Sequence, residues 1–457
     1  MTAIAGFQGS VLEPRDAGYD EARLIWNGVI DRRPALIARC TGTADVVAAV
    51  RHARDCGLEV SIRGGGHGVG GFAVADGALM IDLSPMKGIH VDPDTKTVWA
   101  QAGVVLGELD HETQAHGLAV PVGINTTTGL AGLTLGGGIG WLMRRHGLTI
   151  DNLISVELVT ADGDIVRASE TDNAELFWGV RGAGANFGVV TAFTYRAHPL
   201  GPIVLAGPMV WAMEDAPEVL RGYRQLCEAL PDEITTIAGL RLAPPAAWIP
   251  EDLHRQPILQ IAACYAGAVE DGEVALRPLR ALGRPLVDAL APRPFVEHQA
   301  LLDASVPKGW HYYWKSHDLP PLKDDIIDIV VDHSTRITSP RSYSLIPHLG
   351  GAVARVAEDA TAYSHRDATH AININGVWLP EDPEPDRHIA WVRGLFAALE
   401  PYAVGVYVNF LGAEGSGRVQ AAYGRDKYER LVALKTSWDP SNFFHLNQNI
   451  QPRSRTA

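Results

Sequence analysis

Residues 58–84 read LEVSIRGGGHGVGGFAVADGALMIDLS. LEVSIR and ALMIDLS are short and mostly apolar, with side chains that fit a pleated surface, so each predicts a strand. Between them RGGGHGVGG holds six glycines in nine residues. Gly66-His67-Gly68-Val69-Gly70-Gly71 satisfies G-x-G-x-x-G and follows a strand, as a dinucleotide fingerprint does. That fingerprint must also open a helix and lead to an acidic residue about 20 positions later. A strand follows here instead, so a Rossmann fold is excluded. What the loop offers is a row of residues without Cβ, whose N–H groups can turn toward one anion beside the charge of Arg63. A histidine taken alone is ordinarily a surface or loop residue. In a glycine cradle His67 meets whatever binds, and a neutral imidazole is a nucleophile.

Upstream, TADVVAAVRHARDC predicts a helix over 43–56, with Thr43 as N-cap and Gly57 just past its end. Downstream, Pro93-Asp94 marks a hairpin turn, a strand runs to about Ala102, and a helix spans Leu106 to His116. A second glycine cluster, GLAGLTLGGGIG, occupies residues 129–140. Tight turns account for one such cluster. Two exceed that need and suit a large flat cofactor that the backbone must approach closely. ISVELVTADGDIVRAS then predicts a hairpin closed on Asp162-Gly163. NAELFWGV predicts a short helix, followed by a third glycine-bearing loop and a strand.

Beyond residue 200 the glycine loops stop. APEVLRGYRQLCEALP and GEVALRPLRALG predict helices, while PILQIAACYAG and THAININGVWLP alternate as strands. Helices beside a largely antiparallel sheet give the class α+β. Boundaries are expected near 200 and 405, with residues 406–457 forming a turn-rich end in which YERLVALKTSW is a helix stopped at Asp439-Pro440.

At 457 residues the chain is long enough for two or three domains. Its 46% hydrophobic and 20% charged residues are those of a folded soluble protein. The charge of 39 − 53 = −14, with no run of Lys and Arg, excludes nucleic acid and anionic membrane surfaces as partners. Neither a signal nor a membrane anchor is apparent in the N-terminal stretch, so a cytoplasmic protein, monomer or homodimer, is expected. Cys40, Cys56, Cys227 and Cys264 stand singly, which argues against disulfides and zinc ribbons and predicts buried small side chains. No G-x-S-x-G, Walker loop or H-E-x-x-H occurs, and His365 and His370 are spaced wrongly for a metal pair. No metal is expected.

Ser61-Ile62-Arg63-Gly64-Gly65-Gly66-His67, GLTLGGGIGWLMRRHGLTIDN and the ending NFFHLNQNI together resemble the FAD-linked oxidases of the berberine bridge enzyme and 6-hydroxynicotine oxidase type. The resemblance is densest over 33–200 and 405–453. It implies a PCMH-type FAD-binding domain of two α+β subdomains over 1–200, as in the vanillyl-alcohol oxidase superfamily. A substrate domain over 201–405 follows, and 406–457 returns to the first. It implies FAD bonded through its 8α-methyl to His67. Ile62 and Arg63 to Gly68 would wrap the pyrophosphate, and Gly129, Gly132, Thr134 and Gly138 would run along the cofactor. Ile154 would sit at the oxygen face and Gly188 and Val190 on the adenine side, with Tyr407, Asn409, Asn447 and Asn449 around the isoalloxazine. Matching Gly123 to Gly129 onto the family's G-x-C-x-x-x-G puts Asn125 where a second attachment cysteine would be, so a single linkage is expected.

The implied reaction is hydride transfer from a C–H of an amine, a sugar or a polycyclic natural product to flavin N5, with O2 reduced to hydrogen peroxide. Tyr407 is the candidate for an acid/base or positioning role. Leu379 stands where plant members place a glutamate base. Tyr312, Tyr313, Trp314 and Trp378 are expected to wall the substrate cavity. A flavin dehydrogenase with another electron acceptor, and a flavin- or ligand-binding protein without catalysis, are the alternatives.

Overall fold

The computed structural model describes residues 4–453. Residues 1–3, the start of the N-terminal stretch, lie outside them. The predicted strands form as Val60–Arg63 and Leu79–Asp82. They are parallel neighbours in a four-stranded sheet with Leu36–Arg39 and Ser10–Leu12. Parallel neighbours need a crossover of a dozen or so residues. Residues 64–78, with the glycine loop at their start, are that crossover.

A second, antiparallel sheet has the order Ile89–Asp92, Thr97–Gln101, Val189–Arg196, Leu153–Val159, Ile165–Ser169. Its last two strands are the hairpin closed at Asp162-Gly163, where Gly163 takes φ 79°. Val46, Val50, Val98, Val156 and Phe193 of these two sheets and their helix share one core with Val406, Leu431, Leu434, Phe444 and Ile450. The third sheet has eight strands, all lying between residues 203 and 378. Its antiparallel pairings run from Ile203–Ala212 through Pro257–Tyr265, Ile234–Leu242, Tyr343–Pro347 and His370–Trp378 to His311–Leu319. Helices Ala216–Ala229, Asp324–Ser334 and Pro385–Leu399 cover one face through Leu220, Ile327, Val392 and Leu395. The other face looks back toward the glycine loops. The class is α+β, as expected. No helix among the described residues is long and apolar enough to cross a membrane.

Several local expectations need correction. Helix Thr43–Cys56 starts one residue earlier than a Thr43 cap implies: Gly42 is the N-cap, and Thr43 Oγ1 donates to Glu157 Oε1 across to the second sheet (2.7 Å). The helix from Leu106 ends at Gln114, short of His116. GEVALRPLRALG breaks into Val269–Ala275 and Arg277–Arg280, because Pro278 cannot donate to the preceding turn. Residues Leu130–Gly136 of the second glycine cluster are helical, since Leu130, Ala131, Leu133 and Leu135 outweigh the glycines and bury against the core. Cys40, Cys227 and Cys264 are buried but Cys56, in the last helical turn, is exposed.

Candidate functional site

The two glycine clusters meet. A Cβ on Gly65 would overlap the backbone of Gly129, and a Cβ on Gly129 would overlap the backbone of Gly65. Both backbones are held: Leu106 N–H and Leu130 N–H fasten the second segment (3.0 and 2.9 Å, to Thr128 O and Val104 O), and Trp26 N–H holds the first at Gly66 O (3.0 Å). Glycine at both positions is therefore steric necessity. Gly68 and Gly132, by contrast, have nothing within 4 Å of the point where a Cβ would stand, and border open space. That space is a cavity of about 300 Å³ between the glycine segments and the third sheet.

Gly129→Val is expected to cost about 1–3 kcal/mol of stability through overpacking and to yield protein with little bound flavin. Gly132→Ala should fold normally and lose only flavin. Thermal melting together with the flavin-to-protein absorbance ratio separates the two effects.

His67 is half-buried at the cavity edge, stacked on Trp26 with ring centroids 4.2 Å apart and planes at 19°. Burial lowers its pKa to about 4, so the imidazole is neutral at pH 7, and Nε2 is buried without a partner. Trp26 is itself fixed: its N–H donates to Gly66 O (3.0 Å) and its Nε1 to Val306 O (2.9 Å). Asn27 Nδ2 donates to Val69 O (3.2 Å) and Tyr312 O (3.0 Å), pinning the glycine loop to the third sheet. Trp26 and Asn27 were not legible as site residues, because their partners lie about 40 and 285 positions away.

Tyr407 forms another part of the wall. Its hydroxyl accepts from Gly138 N–H and from Asn409 Nδ2, each at 2.8 Å. Burial pushes the phenol up to about 12, with these donors opposing the rise, so it stays protonated. Two donors occupy its lone pairs and leave its own proton free to be given. A Cβ on Gly136 would strike Asn409, so that glycine too lets the wall close.

Of the residues singled out in the sequence, Ile62, Gly64, Gly65, Gly66, His67, Gly68, Gly129, Gly132, Tyr407, Asn409 and Asn125 line this cavity together. Arg63 lines an adjoining pocket of about 180 Å³, its guanidinium bonded to Ala22 O and facing Asp82. Gly138 lies behind Tyr407, and Thr134 is buried beneath, its hydroxyl on Tyr195 Oη (2.8 Å). Ile154, Gly188 and Val190 sit in or beside the second sheet, away from the cavity lining. Asn447 and Asn449 are on the C-terminal turn near Asn186, each with a buried Oδ1 that has no partner.

The expected aromatic wall is reduced to Trp314. Strand alternation turns Tyr313 to the opposite face, where Arg393 donates to its hydroxyl (3.0 Å), and sends Trp378 against His388. Tyr312 sits one layer back, stacked under Trp26 with its hydroxyl on Pro307 O (2.5 Å). Leu379 lies past the end of its strand, outside the lining. The side chains of that strand that do reach the cavity are Asn373 and Asn375. Two asparagines at i and i+2 in the otherwise apolar AININGVW were a visible signal. Among the lining residues there is no Asp, Glu, Lys or Arg, and among the described residues no cluster of His, Cys, Asp and Glu suits a metal ion.

These features fit a flavin cofactor. The glycines leave room for a flat ring system, and His67 Nε2, Asn447 Oδ1 and Asn449 Oδ1 are buried polar atoms lacking partners. Comparison with known proteins agrees. Residues 34–169 match the model of the FAD binding domain, and residues 406–451 match that described as berberine and berberine like. An FAD-linked oxidoreductase of Dictyostelium discoideum is 35% identical over 431 residues, covering 93% of this chain and 91% of that one. The crystal structure of 6-hydroxy-D-nicotine oxidase from Arthrobacter nicotinovorans is 30% identical with a TM-score of 0.86, and 98% of each chain is covered. Glucooligosaccharide oxidase from Acremonium strictum, whose FAD is 6-S-cysteinyl and 8α-N1-histidyl, shares the fold at 24% identity and a TM-score of 0.85, with 97% of each chain covered. A cradle of paired glycines, a neutral histidine at its rim and these relationships lead to one conclusion: the chain belongs to the FAD-linked oxidoreductases of the berberine bridge enzyme and 6-hydroxynicotine oxidase family.

Proposed function

We propose that this enzyme is an oxidase whose FAD is attached through His67 alone and whose substrate is a neutral, largely apolar small molecule. When bound, FAD supplies the hydride acceptor at N5 and the two-electron link to O2. The single observation that carries the reading is His67, neutral, stacked and poised at the rim of the glycine cradle. Single attachment is supported at Asn125. Its Oδ1 accepts from Thr127 N–H (3.1 Å) and Oγ1 (2.6 Å), so an amide stands in the cavity wall where a thiolate would be required.

The substrate class follows from the walls. Ile237, Leu345, Pro347, Trp314 and Phe410 are apolar, and hydrogen bonding is confined to a few groups such as Asn373, Asn375 and Tyr343. An oligosaccharide would leave many hydroxyls unmatched, each at a desolvation cost. An aromatic amine or a small heterocyclic natural product matches better. Tyr407, held protonated, acts as a hydrogen-bond donor to charge that develops on the cofactor or substrate, rather than as a base. Gly138 and Asn409 fix its ring for that task.

Screening amines, aromatic alcohols and sugars for bleaching of the flavin under nitrogen tests the substrate class; bleaching by sugars alone would refute it. Mixing the reduced enzyme with oxygen tests the oxidase reading, which slow reoxidation would overturn. Tyr407→Phe should retain bound flavin, lose about 1–3 kcal/mol of stability through the orphaned Gly138 N–H, and lower kcat by about a hundredfold, the usual cost of one preorganised donor, as steady-state kinetics would show.

A further inference from the structure

The sheet face that closes the cavity carries a row of buried polar groups. His311–Leu319 and His370–Trp378 are paired so that Trp314 faces Asn375, Ser316 faces Asn373 and Asp318 faces Ala371. Trp314, Asn373 and Asn375 line the cavity. Alternation along the strand puts Ser316 and Asp318 on the same face as Trp314. Asn373, Ser316 and Asp318 are 4%, 1% and 1% exposed. Asn373 Nδ2, Ser316 Oγ and both carboxyl oxygens of Asp318 have no hydrogen-bond partner. A contiguous run of such groups is what ordered water satisfies.

Oxidation of a C–H beside an N–H or O–H releases a proton as well as a hydride. No carboxylate lines the cavity, and Tyr407 is already protonated with its lone pairs taken. We propose that Asp318 is the proton acceptor of the reaction, reached from the cavity through water held between Asn373 and Ser316. This rests on the cavity being the substrate site of an FAD enzyme. The C–H bond breaks with its electron pair going to the cofactor. The substrate N–H or O–H bond breaks, its proton passes through water to the Asp318 carboxylate, and a C=N or C=O bond forms.

Asp318 is well placed to hold and release a proton. Burial raises its carboxyl to about 7, opposed by Arg418. The groups facing it are Arg418 from helix Ser416–Tyr423, Tyr363 from the loop before the strand, and Tyr407. The segment leading to Tyr407 is bridged to the Asp318 backbone at Gly405. Glu414 engages both Arg418 and Lys315, and Arg366 pairs with Asp151 beyond Tyr363. His317 faces the other side of the sheet, stacked on Phe396. The carboxyl is thus ionised and able to accept above pH about 7 and neutral below it, so proton uptake should rise as pH passes that point.

Infrared difference spectroscopy of the FAD-loaded enzyme tests the path without a known substrate. The expected result is a protonated-carboxyl band that disappears with a midpoint near pH 7 and shifts at once on transfer to heavy water. It should be absent in Asp318→Asn. In Ser316→Val it should remain, but shift roughly tenfold more slowly or worse, because exchange then waits on local opening. Asp110, a second buried carboxyl raised to about 7 and bonded to Gln299, would titrate in the same range, so wild type and both variants are compared in an Asp110→Asn background. Persistence of the band in Asp318→Asn, or equal shift rates in wild type and Ser316→Val, would overturn the proposal. If Asp318→Asn fails to fold, the Ser316→Val comparison decides alone. Flavin absorbance of the same samples reports separately on the FAD reading.

Discussion

His67→Ala is expected to yield an enzyme that gives up all its flavin on acid denaturation. The colour should move to the supernatant and the polypeptide mass should fall to that of the bare translation product. Attachment needs a nucleophile that is unprotonated at working pH and close to the cofactor. Burial lowers His67 to about 4, leaving the imidazole free at neutral pH, and Trp26 stacking fixes its plane. A depressed histidine is neutral above about pH 4, so the nucleophile is available through the physiological range and is lost only in acid. Alanine removes the nucleophile but leaves the glycine cradle, so FAD should still bind reversibly. With the ring no longer tethered, kcat should fall by about ten- to a hundredfold, the scale of small misplacements at a reacting centre. Flavin that stays with the denatured His67→Ala chain would show that attachment lies elsewhere.

The second large effect is on stability. Lys435 and Asp439, one helical turn apart at the end of helix Arg425–Trp438, are both 0% exposed and joined at 2.8 Å. Lys435 Nζ also donates to Asn186 O (2.6 Å) and Phe444 O (2.9 Å). Asp439 accepts from Phe443 N–H and Phe444 N–H (2.8 and 2.9 Å). Lys435→Met strands a buried carboxylate and two carbonyls, which should cost about 3–5 kcal/mol. Denaturant midpoints measure it. Adding Asp439→Leu should recover only part of the loss, because the two N–H groups that Asp439 accepts would then be orphaned. Since the same turn carries Asn447 and Asn449, the single variant should also bind FAD more weakly.

Much of the site was written in local sequence. Six glycines around His67 cannot form a regular element, and the strand after them excluded a Rossmann helix. Asn125 at the position of the family's second attachment cysteine was readable from the resemblance, once residues 123–129 were matched to G-x-C-x-x-x-G. Other features escaped because they arise from contacts at long range. Trp26 becomes a site residue only when Gly66 and Val306 meet it. Tyr313 and Trp378 left the expected wall because a one-residue step along a strand reverses the side chain, and which face meets the cavity depends on the sheet's packing; Tyr312 shares the face of Trp314 but is covered by Trp26.

By itself, the sequence determined the α+β class, the two glycine clusters and the histidine inside the first of them, because glycine conformational freedom and strand periodicity act over a few residues. Only the tertiary structure decided that Gly65 and Gly129 touch, that the Tyr407 hydroxyl accepts from Gly138 and Asn409, and that Asp318 lies buried on the cavity's own sheet face. Each of those depends on chain segments far apart in sequence being packed together, and on the loss of water that then fixes which polar groups stay charged.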